Sequence, residues 1–337
     1  MKNFRHALAL LAFVAAGATH ATPQRIVLLV DEVKTVRNLP LLIAEKLGYL
    51  RTEAFDVTVM NIRDEIPHAQ MLADGRIDAI MAYYHHNLVN AADGRPSQAI
   101  VTLGVTPGAK VLVATGAKDR FRTPADLKGA RFIAGGAGSS KTTLANWLVL
   151  DGGHDLDSYT RLNTDGIPAN LAALKEGKAD LLVAPIPVPD SYEAEGAAQV
   201  LFDLTTPAGT RAAMGTLFPS STVFMNSEKV RQHPEMAAHL ATAFVRTLQF
   251  MNQHTAEELV SMIPPNIVGK DHATYLANVR QALPMFATDG LMPADGARKE
   301  AAVFAKQHPK TLGVDIGKTY TNTFVERALK AYPAGRY

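Results

Sequence analysis

Arg131-Phe-Ile-Ala-Gly-Gly-Ala-Gly-Ser-Ser-Lys-Thr-Thr-Leu-Ala-Asn-Trp-Leu-Val-Leu150 places small residues where a short strand gives way to a helix. Arg131 to Ala134 reads as the strand, and Gly135, Gly136 and Gly138 permit a tight turn. Ser139 or Ser140 then caps a helix running to Leu150. The first N–H groups of such a helix lack internal partners, so with Ser139, Ser140 and Lys141 beside them they can receive a carboxylate, sulfonate or phosphate. A nucleotide-binding phosphate loop is excluded, because that pattern needs Gly directly before Lys-Thr and Ser140 stands there. The competing account of this segment is an ordinary capped helix.

Working outward, short apolar runs alternate with helical patterns, as in parallel βαβ units. Strands are predicted at Ile26 to Val30, Asp56 to Met60, Asp78 to Met81, Ala99 to Leu103 and Lys110 to Thr115, with helices at Leu39 to Leu47, Ala69 to Ala73 and Leu88 to Ala92. The pattern then restarts with Arg131 to Ala134, Thr160 to Leu162, Asp180 to Ala184 and Gln199 to Phe202 as strands, and helices around Trp147 and over Ala169 to Lys175. A strand at Ser221 to Met225 follows. Beyond it the chain reads as helical: a capped entry at Asn226-Ser227, a long helix over Met236 to Met251, and helices near His272 to Ala282, Ala294 to Gln307 and Thr319 to Ala331. One α/β unit, a second, and a helical return imply two lobes with a double crossover and strand ends around one cleft. The expected division is a leader over 1–21, a first lobe over 22–115 plus 221–337, and a second lobe over 116–220.

The leader is expected from Lys2 and Arg5, the apolar and small run Ala7 to Ala18, and Thr19-His20-Ala21 before a cleavage point. That predicts export to the periplasm with a mature start near Thr22. The absence of cysteine removes lipid attachment, disulfides and thiol chemistry. With 47% hydrophobic and 20% charged residues and a net charge of +2, the composition is that of a globular protein and gives no basic footprint for nucleic acid.

Leu42-Ile-Ala-Glu-Lys-Leu-Gly-Tyr-Leu50, Met71-Leu-Ala-Asp-Gly-Arg-Ile-Asp-Ala79 and Pro107-Gly-Ala-Lys-Val-Leu-Val113 resemble the first lobe of type II periplasmic solute-binding proteins. The branch is that of nitrate, sulfonate, taurine and thiamine-pyrimidine ABC importers. Thr123-Pro-Ala-Asp-Leu-Lys-Gly129 with Gly135-Gly-Ala-Gly-Ser-Ser140, and Leu171-Ala-Ala-Leu-Lys-Glu-Gly-Lys-Ala-Asp180, are similar to its second lobe. The resemblance implies a monomeric Venus-flytrap protein of α/β class with a helical C-terminal part. It would close on a small-molecule ligand, a sulfonate-like anion or a pyrimidine-type ring, and dock on an inner-membrane ABC permease, with no cofactor and no nucleic acid.

That fold directs attention to strand ends. Tyr83-Tyr84-His85-His86-Asn87 follows the third strand, where tyrosines can stack on a planar ligand and imidazole or amide groups can bond its edge. The competing account has one tyrosine in the core, solvated histidines and Asn87 as a cap. Adjacent histidines aim poorly at one ion and no HxxxH spacing supports them, so no metal is expected. Arg37 and Asn38 precede the first helix and offer a charge and an amide. Pro185, after the Asp180 strand, stands where the family often carries Glu-Pro, so the expected contact there is a rigid rim. Arg211 and Ser220-Ser221 lie near the return crossover. No nucleophile elbow or HExxH motif supports catalysis. The alternatives are a pyrimidine or cofactor-metabolism enzyme on the same scaffold, related to proteins that consume their own side chains through a cysteine-bearing motif this chain lacks, and a sensory ligand-binding subunit.

Overall fold

Ten strands form two sheets in the computed structural model, which describes residues 22–61, 68–136 and 139–333. In chain order they are β1 (Gln24–Val30), β2 (Phe55–Asn61), β3 (Ala79–Tyr83), β4 (Ser97–Thr102), β5 (Ala109–Ala114), β6 (Arg131–Ile133), β7 (Thr160–Leu162), β8 (Leu181–Pro185), β9 (Ala198–Leu204) and β10 (Ser221–Asn226). The first sheet runs β2-β1-β3-β10-β4 and the second β7-β6-β8-β5-β9. In each, the three leading strands are parallel and the fourth is antiparallel to both neighbours. The sheets are therefore topological copies. The two-lobed α/β class is as expected, and the helical C-terminal part is present.

The expected lobe boundary needs correction. β5 was assigned by sequence order to the first lobe, but it pairs with β8 and β9 in the second sheet. β10 does the reverse, filling the equivalent place in the first sheet. Each lobe thus sends one strand to the other, and an apolar run such as Val111-Leu112-Val113 carries no mark of which sheet it joins. The crossovers 103–108 and 216–220 lie side by side: Phe218 N–H donates to the Val105 carbonyl (3.0 Å) and Ser220 N–H to that of Gly104 (2.9 Å). A Cβ on Gly104 would sit 2.3 Å from Ser220 Oγ and 3.3 Å from the Ser221 nitrogen, so a side chain there would require the Ser220 hydroxyl to turn away.

The repeated Asp-Gly-Arg-Ile-Asp78 and Glu-Gly-Lys-Ala-Asp180 motifs have one structural cause. Gly75 and Gly177 take positive φ (70° and 65°) to end their helices, and the aspartate enters the next strand. Asp78 Oδ2 accepts the Val27 N–H at 2.7 Å and pairs with Lys229; Asp180 accepts from Arg131 N (3.0 Å), Nε (2.9 Å) and Nη2 (2.6 Å), and pairs with Arg120 at 2.9 Å. Each carboxylate locks the first strand of its lobe to the third. Burial alone would raise the Asp180 pKa, but the arginine and backbone donors outweigh it and hold it below the usual value. Asp180→Ala is expected to cost about 1.5–3 kcal/mol in urea unfolding, the range for hydrogen bonds to a charged group. Because the folded pKa is depressed, that contribution is present above the unfolded value and is lost as pH falls through the folded one.

The first core gathers Ile26, Leu28, Leu41 and Ile43 with the Pro234–Met251 helix, whose Met236, Leu240, Phe244 and Leu248 recur at four-residue spacing on its buried face. The second packs Phe132, Trp147, Leu148 and Val183. The helices His272–Ala282 and Ala294–Gln307 fall where the periodicity puts them.

Candidate functional site

A cleft of about 450 Å³ lies between the lobes, lined by Thr35 to Arg37 in the segment after β1, the C-terminal ends of β3 and β8, the first two turns of the Ser140–Asp151 helix, and the crossovers. From the first lobe come Thr35, Val36, Arg37, Tyr83, His85 and His86; from the second Ser140, Lys141, Thr143, Leu144, Trp147, Pro185 and Ile186. Pro107, Gly108, Phe218 and Met285 complete the hinge side.

One wall is a column of rings. Tyr83 stacks on His85 (centroids 5.7 Å, 17° between planes), His85 on Phe304 (5.1 Å, 21°), and Phe304 leans on His308 (4.2 Å). Arg37 covers the outer face of Tyr83 with its guanidinium carbon 5.2 Å from the centroid, donates to the Tyr83 hydroxyl at 3.4 Å and pairs with Asp31 at 3.1 Å. Burial opposes the Arg37 charge, yet Tyr83 and Asp31 more than offset it. Across the cleft, Trp147 meets Phe218 edge-on (5.1 Å, 63°), and its buried indole N–H has no acceptor among the described residues.

The histidines carry no charge at neutral pH. Burial and then His308 push His85 down to about 4, and burial with His85 and His68 lowers His86 despite the opposing pull of Asp31. Glu300, wholly buried with Oε1 3.7 Å from His85 Nδ1, is raised well above the ordinary carboxyl value by burial. Between pH 6.5 and about 4 the unfolded chain binds protons that the folded His85 refuses, so stability attributable to His85 falls as pH falls through this window. Glu300 acts oppositely, losing its contribution as pH rises above the unfolded carboxyl value. The measurement that separates them is the melting temperature of His85→Gln against the parent from pH 7 to 4. The difference is expected to narrow on acidification.

The opposite wall begins at the glycine turn. Ser139 Oγ accepts the Thr142 N–H (3.2 Å) and donates to the Ala134 carbonyl (3.0 Å), and Thr142 Oγ1 reaches the Gly136 carbonyl at 2.7 Å. Gly135 (φ 75°) lets the Lys141 side chain fold across it, since a Cβ there would stand 3.1 Å from Lys141 Cε. Lys141 has no carboxylate within ion-pairing distance among the described residues, and none of the described residues lining the cleft is acidic. The cleft therefore presents neutral rings and the Asp31-paired Arg37 on one side, and on the other the start of a helix with Lys141, which has no carboxylate partner among the described residues.

The family model described as NMT1/THI5 like matches residues 36–258. The chain belongs to that family. No curated protein matches it. Among solved structures it is similar to a Bordetella bronchiseptica RB50 protein at 25% identity (TM-score 0.69, covering 92% of this chain and 98% of that one). It is also similar to the periplasmic aliphatic sulphonate binding protein SsuA of Escherichia coli at 17% (0.62, 88% and 91%). The desulfurization enzyme DSZB shares the fold as well, at 16% identity (0.58, 91% and 99%). The architecture is the periplasmic binding protein fold.

Within this family member, Arg37, Tyr83, His85, His86, Ser140, Lys141 and Pro185 line the cleft, while four other sequence candidates do not. Tyr84 is fully buried, its hydroxyl 2.6 Å from Thr319 Oγ1. Asn87 is fully buried between the Tyr84 carbonyl (3.0 Å) and the Ser97 hydroxyl (2.7 Å). The helix His85–Ala92 starts earlier than predicted, which turns the side chain of Asn87 to the core. Asn38 is buried and donates to the Asp31 and Glu32 carbonyls at 2.8 and 3.0 Å, clamping a turn in which Glu32 has φ 34°. Ser139 spends its hydroxyl as the helix cap. Gly138, and the expected leader over 1–21, lie outside the described residues. Sequence reasoning missed Trp147, Phe218 and Met285 as lining residues. The four-residue step from Thr143 to Trp147 on one helix face was the available signal for Trp147.

Proposed function

We propose that this protein is the periplasmic solute-binding component of an ABC importer, and that it captures a small organic anion with a planar body between its lobes. The observation that carries this reading is the pairing across one cleft of uncharged rings with Lys141 at an open helix start. A volume of about 450 Å³ suits a ring-sized ligand and is wasteful for a bare inorganic anion. The sulphonate-binding relative supports the anionic end. Closure on the ligand is a population shift, requiring better contacts in the closed state than in the open one.

Export of a monomer by a cleaved leader and docking on a permease belong to this proposal. No helix among the described residues is long and apolar enough to cross a membrane. The experiment is a thermal-shift screen of sulfonates, carboxylates, pyrimidines and flavins. Planar anions are expected to raise the melting temperature by mass action, about 2.7 kcal/mol at a hundredfold excess over Kd. A screen in which only uncharged ligands bind would remove the anionic reading.

The shared fold of a desulfurization enzyme keeps a second reading open, turnover at the same cleft. A binding protein returns its ligand unchanged and keeps the masses of its His85 and His86 peptides, whereas conversion of either would make it an enzyme.

A further inference from the structure

The hinge is a ribbon of four segments, and its two flanks bridge the lobes by different means. Met285 accepts from Val105 N–H (2.8 Å) and Ala287 donates to the Leu103 carbonyl (2.8 Å), which sets 285–287 along one side of the first crossover. The second crossover lies on its other side, and beyond that Gly296 packs so closely that a Cβ would stand 2.3 Å from the Leu217 carbonyl.

On the Gly296 flank the lobes are held by packing and charge. Val303 enters the second lobe's core, Lys299 reaches both Asp151 Oδ1 and the Met214 carbonyl at 2.5 Å, and Gln307 accepts from Asn146 at 3.1 Å. On the Met285 flank the polar bridge comes from one side chain. Gln281, at the end of the first-lobe helix His272–Ala282, accepts the Val188 N–H at 2.9 Å and points its amide nitrogen at the Val188 carbonyl, 3.4 Å away. Val188 is buried in the second lobe, three residues after the cleft-lining Pro185.

We infer that Gln281 is a positioning residue that latches the lobes: its amide, paired with both backbone groups of Val188, favours the closed cleft on the Met285 flank, where Ile186 packs against both cores. Opening then proceeds by release of this pair while the Gly296 flank stays packed, so ligand enters beside Pro185. The latch deepens the solute-binding reading, since closure matters to a captured ligand, but it acts on the empty protein too. Gln281 does not line the cleft, and its loss changes grip without removing a ligand contact.

The cysteine-free chain allows a direct test. Spin labels at Lys46→Cys and Glu193→Cys, exposed positions on the first and second lobes, report the distance between lobes in the ligand-free protein. Gln281→Ala is expected to raise the ratio of the longer to the shorter distance roughly three- to tenfold, the weight of one or two net hydrogen bonds, with at most a correspondingly small drop in melting temperature. Gln281→Glu keeps an acceptor for the Val188 N–H and should fall between parent and alanine variant. Identical distance distributions in all three proteins would overturn the latch, as would an equal shift in a control, Arg280→Ala, that removes only the neighbouring ion pair with Glu257. If Gln281→Ala widens the distribution but benzenesulfonate, benzoate and the screened pyrimidines and flavins never narrow it, the latch stands and the solute-binding reading falls.

Discussion

Tyr84→Ala is expected to cost about 3–5 kcal/mol of stability, the range for truncating a large buried aromatic, while Tyr83→Ala next to it leaves unfolding close to the parent. Tyr84 is wholly enclosed, meets Tyr320 edge-on at 6.5 Å and ties its hydroxyl to Thr319, so its removal opens a cavity and takes one of the two partners of the Thr319 hydroxyl, which keeps its bond to the Ile316 carbonyl. Tyr83 is half-buried at the cleft, where His85 stacks on its ring and Arg37 covers it. Its loss should appear in binding, because it removes both a lining ring and the hydroxyl that holds the lining Arg37. Urea unfolding and calorimetry on both variants check the pair. Equal destabilisation by the two would mean that the strand end is not divided between core and cleft.

The second large effect is on affinity. Lys141→Ala should weaken binding of an anionic ligand by about ten- to a hundredfold, since a hydrogen bond to a charged group contributes about 1.5–3 kcal/mol and each 1.4 kcal/mol is tenfold. Lys141 has no carboxylate partner among the described residues, so its truncation leaves none of their charges stranded and stability should hold. Raising salt should weaken the parent and leave the variant nearly unmoved, because only the parent's contact is between full charges near solvent. Calorimetry at two ionic strengths reads both. A variant that binds the anion as tightly as the parent would place the anion elsewhere.

The fold was largely legible. Short apolar runs alternating with helical patterns located the strands, and apolar periodicity located the long C-terminal helices. The membership of β5 was not legible, because pairing between strands far apart in sequence leaves no local trace in an apolar run. For the site, sequence order brought the right strand ends together but could not say which neighbour on a strand end faces in. Tyr83 and Tyr84 are the same residue type one step apart, but Tyr83 ends β3 while Tyr84 already has helical backbone angles as the N-cap of the next helix, and that local change of direction sends one ring to the cleft and the other to the core. Asn38 and Ser139 were drawn to backbone groups nearby, the usual fate of short polar side chains at turns and caps. Trp147 was read as a helix residue, and its place at the cleft depends on how the second lobe sits over the first.

Closure of the two lobes on a small ligand is read by small-angle scattering during titration with the ligand that most raises the melting temperature. The expected result is a smaller radius of gyration that saturates with binding, as the crossovers 103–108 and 216–220 bend and the cleft shuts. Saturated binding with no change in dimensions would contradict it.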